Sequence, residues 1–335
     1  MKKGKLLSCA VMAALATVTL ASCGGSNADY EVGVLQFVTH TALDKATKGF
    51  KDAIKEACPE GKKVKFTVKN PETDAATMVT MANQLVRNCD LVMGNATPAA
   101  TQLISSAATE GKSNLPILFT SVTDPIDAGL VSATSGPAHV ENVTGTSDMN
   151  PIAEQAEMIF DFDSSVDKIG IIYNISETNS KTQCDAFEAY INQNHPGVVV
   201  DVKTVSEQTQ ISATVNALVT TDSCDALYLP TDNLIASNIP TITNVTNPKH
   251  VPVYCGESGM VESGGTMTLS ISYYELGYTT GEMAARILFD GEKASDIDVE
   301  SQTDTTKMEF AYNAAAMTSM NLTFSADFKT KYNID

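Results

Sequence analysis

Six short stretches of this 335-residue chain end an apolar run on polar residues: Gln36-Phe37, Asn95-Ala96-Thr97-Pro98, Thr120-Ser121-Val122-Thr123-Asp124, Tyr173-Asn174, Pro230-Thr231-Asp232-Asn233 and Gly256-Glu257. Groups of these types hold a small ion pair without reacting with it. Free amides at helix starts after Asn95 and after Thr123 suit a carboxylate. Asp232 and Glu257 suit an ammonium. Phe37, Tyr173 or Tyr273 offers a face for a ring to stack on. Any one of them is as often a turn or cap residue, so the weight lies in their convergence. Machinery for bond-making is missing: there is no G-x-S-x-G, no P-loop and no G-x-G-x-x-G. The four histidines are scattered, no cysteine spacing suits a metal, and a hydrolase is the weakest reading. No cofactor is expected.

The elements that must carry these turns alternate strand and helix. Val32 to Phe37 reads as a strand. A helix capped near Thr41 carries Leu43, Ala46, Phe50 and Ile54 on one face. Val64 to Val68 alternates as a strand, and Thr73 or Asp74 caps a helix through Met78, Met81, Leu85 and Val86. Leu91 to Met93 is a strand, Pro98 to Ala108 a helix, and Pro116 to Phe119 a strand. Such βα alternation implies a parallel sheet with right-handed crossovers.

The second half repeats the first. Strands at Ile169 to Asn174, Val198 to Val202, Ala226 to Leu229 and Val251 to Tyr254 alternate with helices at Asn179 to Gln193, Thr209 to Thr220 and near Asn233. CDLVMGNATPAATQL (89–103) and CDALYLPTDNLIASN (224–238) are the same local design, and Gly33 corresponds to Gly170 as Pro116 does to Pro252. Two similar α/β lobes follow. A helix runs from Tyr273 to Leu288. The remaining 45 or so residues are too few for a third domain and return to complete the lobes. The expected division is 30–147 plus 272–298 for the first lobe and 148–271 plus 299–335 for the second, with linkers near 144–150, 270–273 and 298–301.

Residues 1–22 have a signal-peptide layout: MKKGK, then an apolar stretch too short for a mature span. Leu20-Ala21-Ser22-Cys23 resembles a lipobox, which makes Cys23 the expected lipidation site. Residues 23–29 then form a lipidated tether to the outer face of a bacterial membrane, in a periplasm or at a cell surface. No further stretch reaches membrane-spanning length. A net charge of -18 opposes nucleic acid as a partner. Of the remaining cysteines, Cys58 with Cys89 and Cys184 with Cys224 are plausible disulfides, one per lobe; small buried side chains are the alternative.

Eight blocks resemble one family, the ABC transporter substrate-binding lipoproteins whose described members bind tryptophan and related aromatic amino acids. They are VGVLQFVTHTALDKATKGFKDAI (32–54), NATPAATQ (95–102), PILFTSVTDPIDAGLV (116–131), NVTGTSDMNPIAEQ (142–155), IGIIYNISETNS (169–180), LYLPTDNLIAS (227–237), VPVYCGESGMVESGG (251–265) and YYELGYTTGEMAARIL (273–288). The resemblance implies a type I periplasmic-binding-protein fold: two Rossmann-like lobes, three hinge strands, and a ligand between them. It implies first-lobe ligand contacts from Gln36, Thr97 and Thr123. Second-lobe contacts are implied from Tyr173, Asn174, Glu177, Asn179, Ser180, Asp232 and Asn233. The residue reading itself adds Glu257 and Tyr273 to the expected ligand contacts. Asp232 is the expected ammonium partner and Thr97 the expected carboxylate partner. Cys255 stands where relatives carry a small residue, which suggests a thiol beside the cleft. The implied partners are an amino-acid-like ligand, an ABC permease and its ATPase, with the protein itself a monomer. The alternatives are a ligand sensor for a membrane receptor, or import of a non-aromatic amino acid or small organic solute.

Overall fold

The computed structural model describes residues 28–136, 142–302 and 308–334. The expected signal segment, Cys23 and most of the tether lie outside the described residues. The first lobe begins β1 (Tyr30–Gln36), α1 (Thr41–Ala57), β2 (Val64–Lys69), α2 (Ala75–Asn88), β3 (Leu91–Asn95), α3 (Thr97–Thr109), β4 (Ile117–Val122) and β5 (Val143–Ser147). The second contains α4 (Ile152–Phe162), β6 (Lys168–Asn174), α5 (Thr178–Asn194), β7 (Val199–Val205), α6 (Gln208–Asn216), β8 (Ala226–Leu229), α7 (Asn233–Ala236), α8 (Ile239–Thr246), β9 (Val253–Cys255), α9 (Ser258–Glu262) and β10 (Met267–Ser270). The chain then returns through α10 (Tyr273–Asp290) and β11 (Glu300–Ser301), and ends with β12 (Glu309–Tyr312), α11 (Ala314–Ser319) and α12 (Ala326–Lys331).

The two sheets have matching orders, β11-β5-β4-β3-β1-β2 and β12-β10-β9-β8-β6-β7. All pairings are parallel except β12 on β10. The chain thus passes between sheets after β5, after β10 and after β11. Because β11 pairs with β5, the third passage follows Ser301 instead of residue 298.

Each strand feeds two cores because its side chains alternate. Val32 and Val34 of β1 face Phe50 and Ile54 of α1, together with Met283 of α10. Leu35 faces the other way, against Leu85 of α2 and Leu103 of α3. A strand order of 2-1-3 requires this, since successive right-handed crossovers leave the first strand on opposite sides.

That topology corrects the disulfide expectation. All five described cysteines are free. Cys58 ends α1 on one face of the first sheet, while Cys89 packs with the α2 core on the other. Cys184 and Cys224 are divided by the second sheet in the same way. Cys89 and Cys224 instead fill space over a strand glycine. A Cβ on Gly33 would lie 3.0 Å from the Cys89 sulfur, and one on Gly170 would lie 3.1 Å from that of Cys224. Burial pushes both thiols up to about 11, where they are unreactive at neutral pH. Thiol titration in denaturant of a chain starting at Asp29 will find five thiols; a smaller count would restore a disulfide.

Candidate functional site

The C-terminal ends of both sheets face each other, and the lobes touch there. The α5 residue Gln183 donates from Nε2 to Thr123 Oγ1 across the cleft, at 3.1 Å. His40, which precedes α1, bonds through Nε2 to Asn233 Oδ1 at 3.2 Å. Lys45 of α1 pairs with Glu262 of α9. At the hinge, Asp148 accepts from Thr123 Oγ1 at 3.0 Å and from the Tyr273 hydroxyl at 2.7 Å, so one buried carboxylate ties three segments.

Between these contacts lies a cavity with about 20 Å³ of free volume, lined by both lobes. That is room for roughly one water, so this is a closed cleft. Leu43, Ala236, Met260 and Tyr273 give it an apolar wall, and Ser121, Asn179, Asp232 and Glu257 contribute polar groups. Among the described residues, no lysine or arginine lines it. Ser121 reaches the cavity through a bulge in β4 and has a left-handed backbone, φ 56°. Ala96, just before α3, is also left-handed at φ 84°. Each such residue stores of order 1–3 kcal/mol, a pattern characteristic of binding sites.

Five of the expected residues line the cavity: Asn179, Asp232, Asn233, Glu257 and Tyr273. The others stand behind it or apart from it. Gln36 has its amide fully engaged, donating to Val38 O and Asp44 Oδ1 and accepting from Thr47 Oγ1. Tyr173 is packed in the second lobe's core and offers no ring face to the cavity. Asn174 gives its backbone N–H to Asp232 Oδ2 at 2.6 Å. Ser180 donates to Thr231 O at 3.1 Å. Glu177 accepts from Asn233 N at 3.0 Å, Asn233 Nδ2 at 2.6 Å and Leu234 N at 3.2 Å. Thr123 bridges the lobes without lining the cavity. Thr97 is buried with an unpartnered hydroxyl, yet it too lies outside the lining.

Three readings of chemistry need correction. No helix starts after Thr123: Asp124 Oδ1 accepts from Ile126 N and Asp127 N and closes a turn there. Phe37 packs against the first lobe's core and is absent from the lining. Cys255 points away from the cleft, since its sulfur is buried in a second-lobe core against Gly265. Sequence reasoning passed over His40, Leu43, Asp148, Ala236 and Met260 as site residues. His40 has no partner nearby in sequence, and its partner Asn233 lies 193 residues away.

The cleft is an acidic, enclosed environment. Burial and the charge of Asp232 push Glu177 up to about 8, and burial pushes Glu257 up to about 7. Asp148 and Asp232 are raised by burial as well, and His40 is lowered by it. Raised carboxyls bind protons in the folded state that the unfolded chain has released. Their contribution is therefore full below about 4.5 and lost as pH climbs through about 7 to 8. The unliganded protein should melt at progressively lower temperature from pH 5 to pH 8, and Glu257→Gln should flatten that slope. A melting temperature rising across the same range would contradict it.

Two facing α/β lobes with their strand ends closed on a small polar cavity define a type I periplasmic-binding-protein clamp. The chain belongs to the ABC transporter substrate binding protein family, whose model matches residues 31–329. It is 35% identical over 320 residues to the tyrosine-binding protein of Clostridioides difficile, covering 91% of this chain and 89% of that one. It also resembles a solved ABC domain from Streptococcus pneumoniae in complex with L-Trp, with 37% identity, TM-score 0.79, and coverage of 90% of this chain and 98% of that one. A ligand-free, open substrate binding protein from Clostridium difficile shows 32% identity and TM-score 0.66, covering 89% of this chain and 96% of that one. The protein is thus a solute-binding component of an ABC importer, a non-catalytic role.

Proposed function

We propose that this protein captures an aromatic L-amino acid, tyrosine or tryptophan, outside the membrane and delivers it to a permease driven by a separate ATPase. The observation that carries this reading is the make-up of the cleft lining, which sets an apolar wall containing Tyr273 against polar groups with, among the described residues, no lysine or arginine; the lobes part to admit a solute larger than the water-sized closed cavity. A zwitterion with a flat apolar side chain matches both halves. Relatives that bind tyrosine and L-Trp point the same way. The closed arrangement is also nearer in shape to the L-Trp complex than to the open, ligand-free relative, at TM-scores of 0.79 and 0.66.

In this reading Asn179, Glu257 and Tyr273 contact the ligand, and Asp232 and Asn233 shape the turn beside it. Gln36, Thr123, Asn174, Glu177 and Ser180 hold them in place, and Thr97 and Tyr173 act only indirectly. Ligand energy offsets the opening of the lobes, and closure excludes water so that each polar contact strengthens. Lipid on Cys23 would keep the clamp near its permease, a monomer beside each transporter. The test is calorimetric titration of refolded protein with the twenty amino acids: binding confined to aromatic side chains supports the proposal, and binding confined to aliphatic or acidic ones removes it.

A further inference from the structure

Among the described residues, four that line the cavity carry a buried polar atom without a partner: His40 Nδ1, Ser121 Oγ, Asn179 Oδ1 and Glu257 Oε1. The identity of each free atom follows from what its neighbours do. Asn233 donates from Nδ2 to Glu177 Oε2 at 2.6 Å, which leaves its Oδ1 facing His40. An amide oxygen only accepts, so His40 Nε2 must carry the proton. Nδ1 is then a bare acceptor, and burial keeps the ring neutral. Asn179 donates from Nδ2 to Thr231 O at 2.8 Å, so its free atom is the carbonyl oxygen, again an acceptor. Glu257 uses Oε2 to accept from Gly259 N, and Oε1 is free although the residue is only 2% exposed.

Asp232 is in a different condition. Its Oδ1 accepts from Ile235 N at 2.9 Å and its Oδ2 from Asn174 N at 2.6 Å. Each oxygen already accepts one backbone N–H, and together these bonds shape the turn before α7. The cavity therefore offers three unsatisfied acceptors and one hydroxyl, and a buried acceptor left unmet is costly. The group that answers three acceptors around one small cavity is one with three N–H bonds.

We propose that the ligand's primary ammonium is held by Glu257 Oε1, His40 Nδ1 and Asn179 Oδ1, with Asp232 a positioning residue. The inference rests on the amino-acid reading above for its probe and extends it to the atoms that recognise the amine. Two of the three acceptors are on the second lobe and His40 is on the first, so the ammonium itself bridges the lobes. A site built this way discriminates against N-methylated amines, because each methyl removes one donor and leaves one acceptor unmet.

The experiment titrates wild type, Glu257→Gln, His40→Phe and Asp232→Asn with L-tyrosine, L-tryptophan and their deaminated acids, 3-(4-hydroxyphenyl)propionate and 3-indolepropionate. Glu257→Gln should weaken the amino acids about 10- to 100-fold, the range of a charge-assisted hydrogen bond, and leave the deaminated acids nearly unchanged. His40→Phe should show the same selectivity at smaller size, and the imidazole ¹⁵N spectrum of wild type should report the Nε2-protonated tautomer. Asp232→Asn should weaken both ligand sets alike. Equal losses for amine and deaminated ligand in Glu257→Gln would overturn the assignment, as would amine-selective loss in Asp232→Asn. A wild type that ignores aromatic amino acids but binds another primary amine, with the same Glu257 dependence, would overturn the aromatic reading and keep this one. A ligand with no amine would overturn it. Thermal melting of each variant separates loss of fold from loss of contact.

Discussion

Glu177→Ala is expected to lower the melting temperature by at least about 6 °C and the ligand affinity by about 100-fold. The carboxylate accepts from Asn233 N, Asn233 Nδ2 and Leu234 N in a fully enclosed position. Alanine leaves three buried donors unmet, each at about 1–3 kcal/mol, so the loss is at least about 3 kcal/mol. The damage extends to the cleft because the same bonds orient the Asn233 amide toward His40. Glu177→Gln keeps an acceptor and should fall between the two. Thermal unfolding and titration of both variants measure this; an alanine variant melting within 2 °C of wild type would show that the turn is held by something else.

Gly259→Val is the second large effect, and it tests closure of the lobes. Gly259 sits on the second lobe where it meets the start of α1. A Cβ there would lie 2.8 Å from Glu257 Oε2 on its own lobe, and 2.9 Å from both Ala42 N and Thr41 Cβ on the first lobe. The Glu257 carboxylate can shift, but neither first-lobe neighbour is the end of a flexible side chain, so full relief requires the lobes to part. Overpacking of this kind costs about 1–3 kcal/mol, which converts to roughly a 5- to 150-fold loss of affinity. Each lobe keeps its own core, so the unliganded melting temperature should hardly move. Solution scattering should show wild type contracting with ligand and the variant failing to contract. A variant that contracts and binds like wild type would place closure elsewhere.

The architecture could be read from sequence because it is written in periodicity. Apolar runs ending in polar turns, repeated at a nearly constant offset, leave few topologies once right-handed crossovers are required. The same rule, applied one step further, would have excluded the disulfides: a 2-1-3 strand order sets α1 and α2 on opposite faces of the sheet. The site was less accessible. Its second-lobe residues cluster in sequence, so Asp232, Asn233 and Glu257 stood out together. The first lobe supplies single residues, His40, Leu43 and Ser121, whose meaning depends on a partner in the other lobe. Gln36, Glu177 and Ser180 looked like contacts because buried polar residues near strand ends look alike until their hydrogen bonds are traced. Asp232 is the clearest case: an acidic residue at a strand end suggests a counter-ion, while each of its two oxygens already accepts a backbone N–H.

The most direct test of the central claim is calorimetric titration of the chain from Asp29 onward, unfolded and refolded to remove any carried-over solute, with L-tyrosine and L-tryptophan. The account predicts one site per chain, submicromolar affinity, and a negative heat-capacity change from burial of an aromatic side chain. No heat from either amino acid across the pH range 5 to 8, with an intact melting transition, would contradict it and leave a clamp whose solute is not an aromatic amino acid.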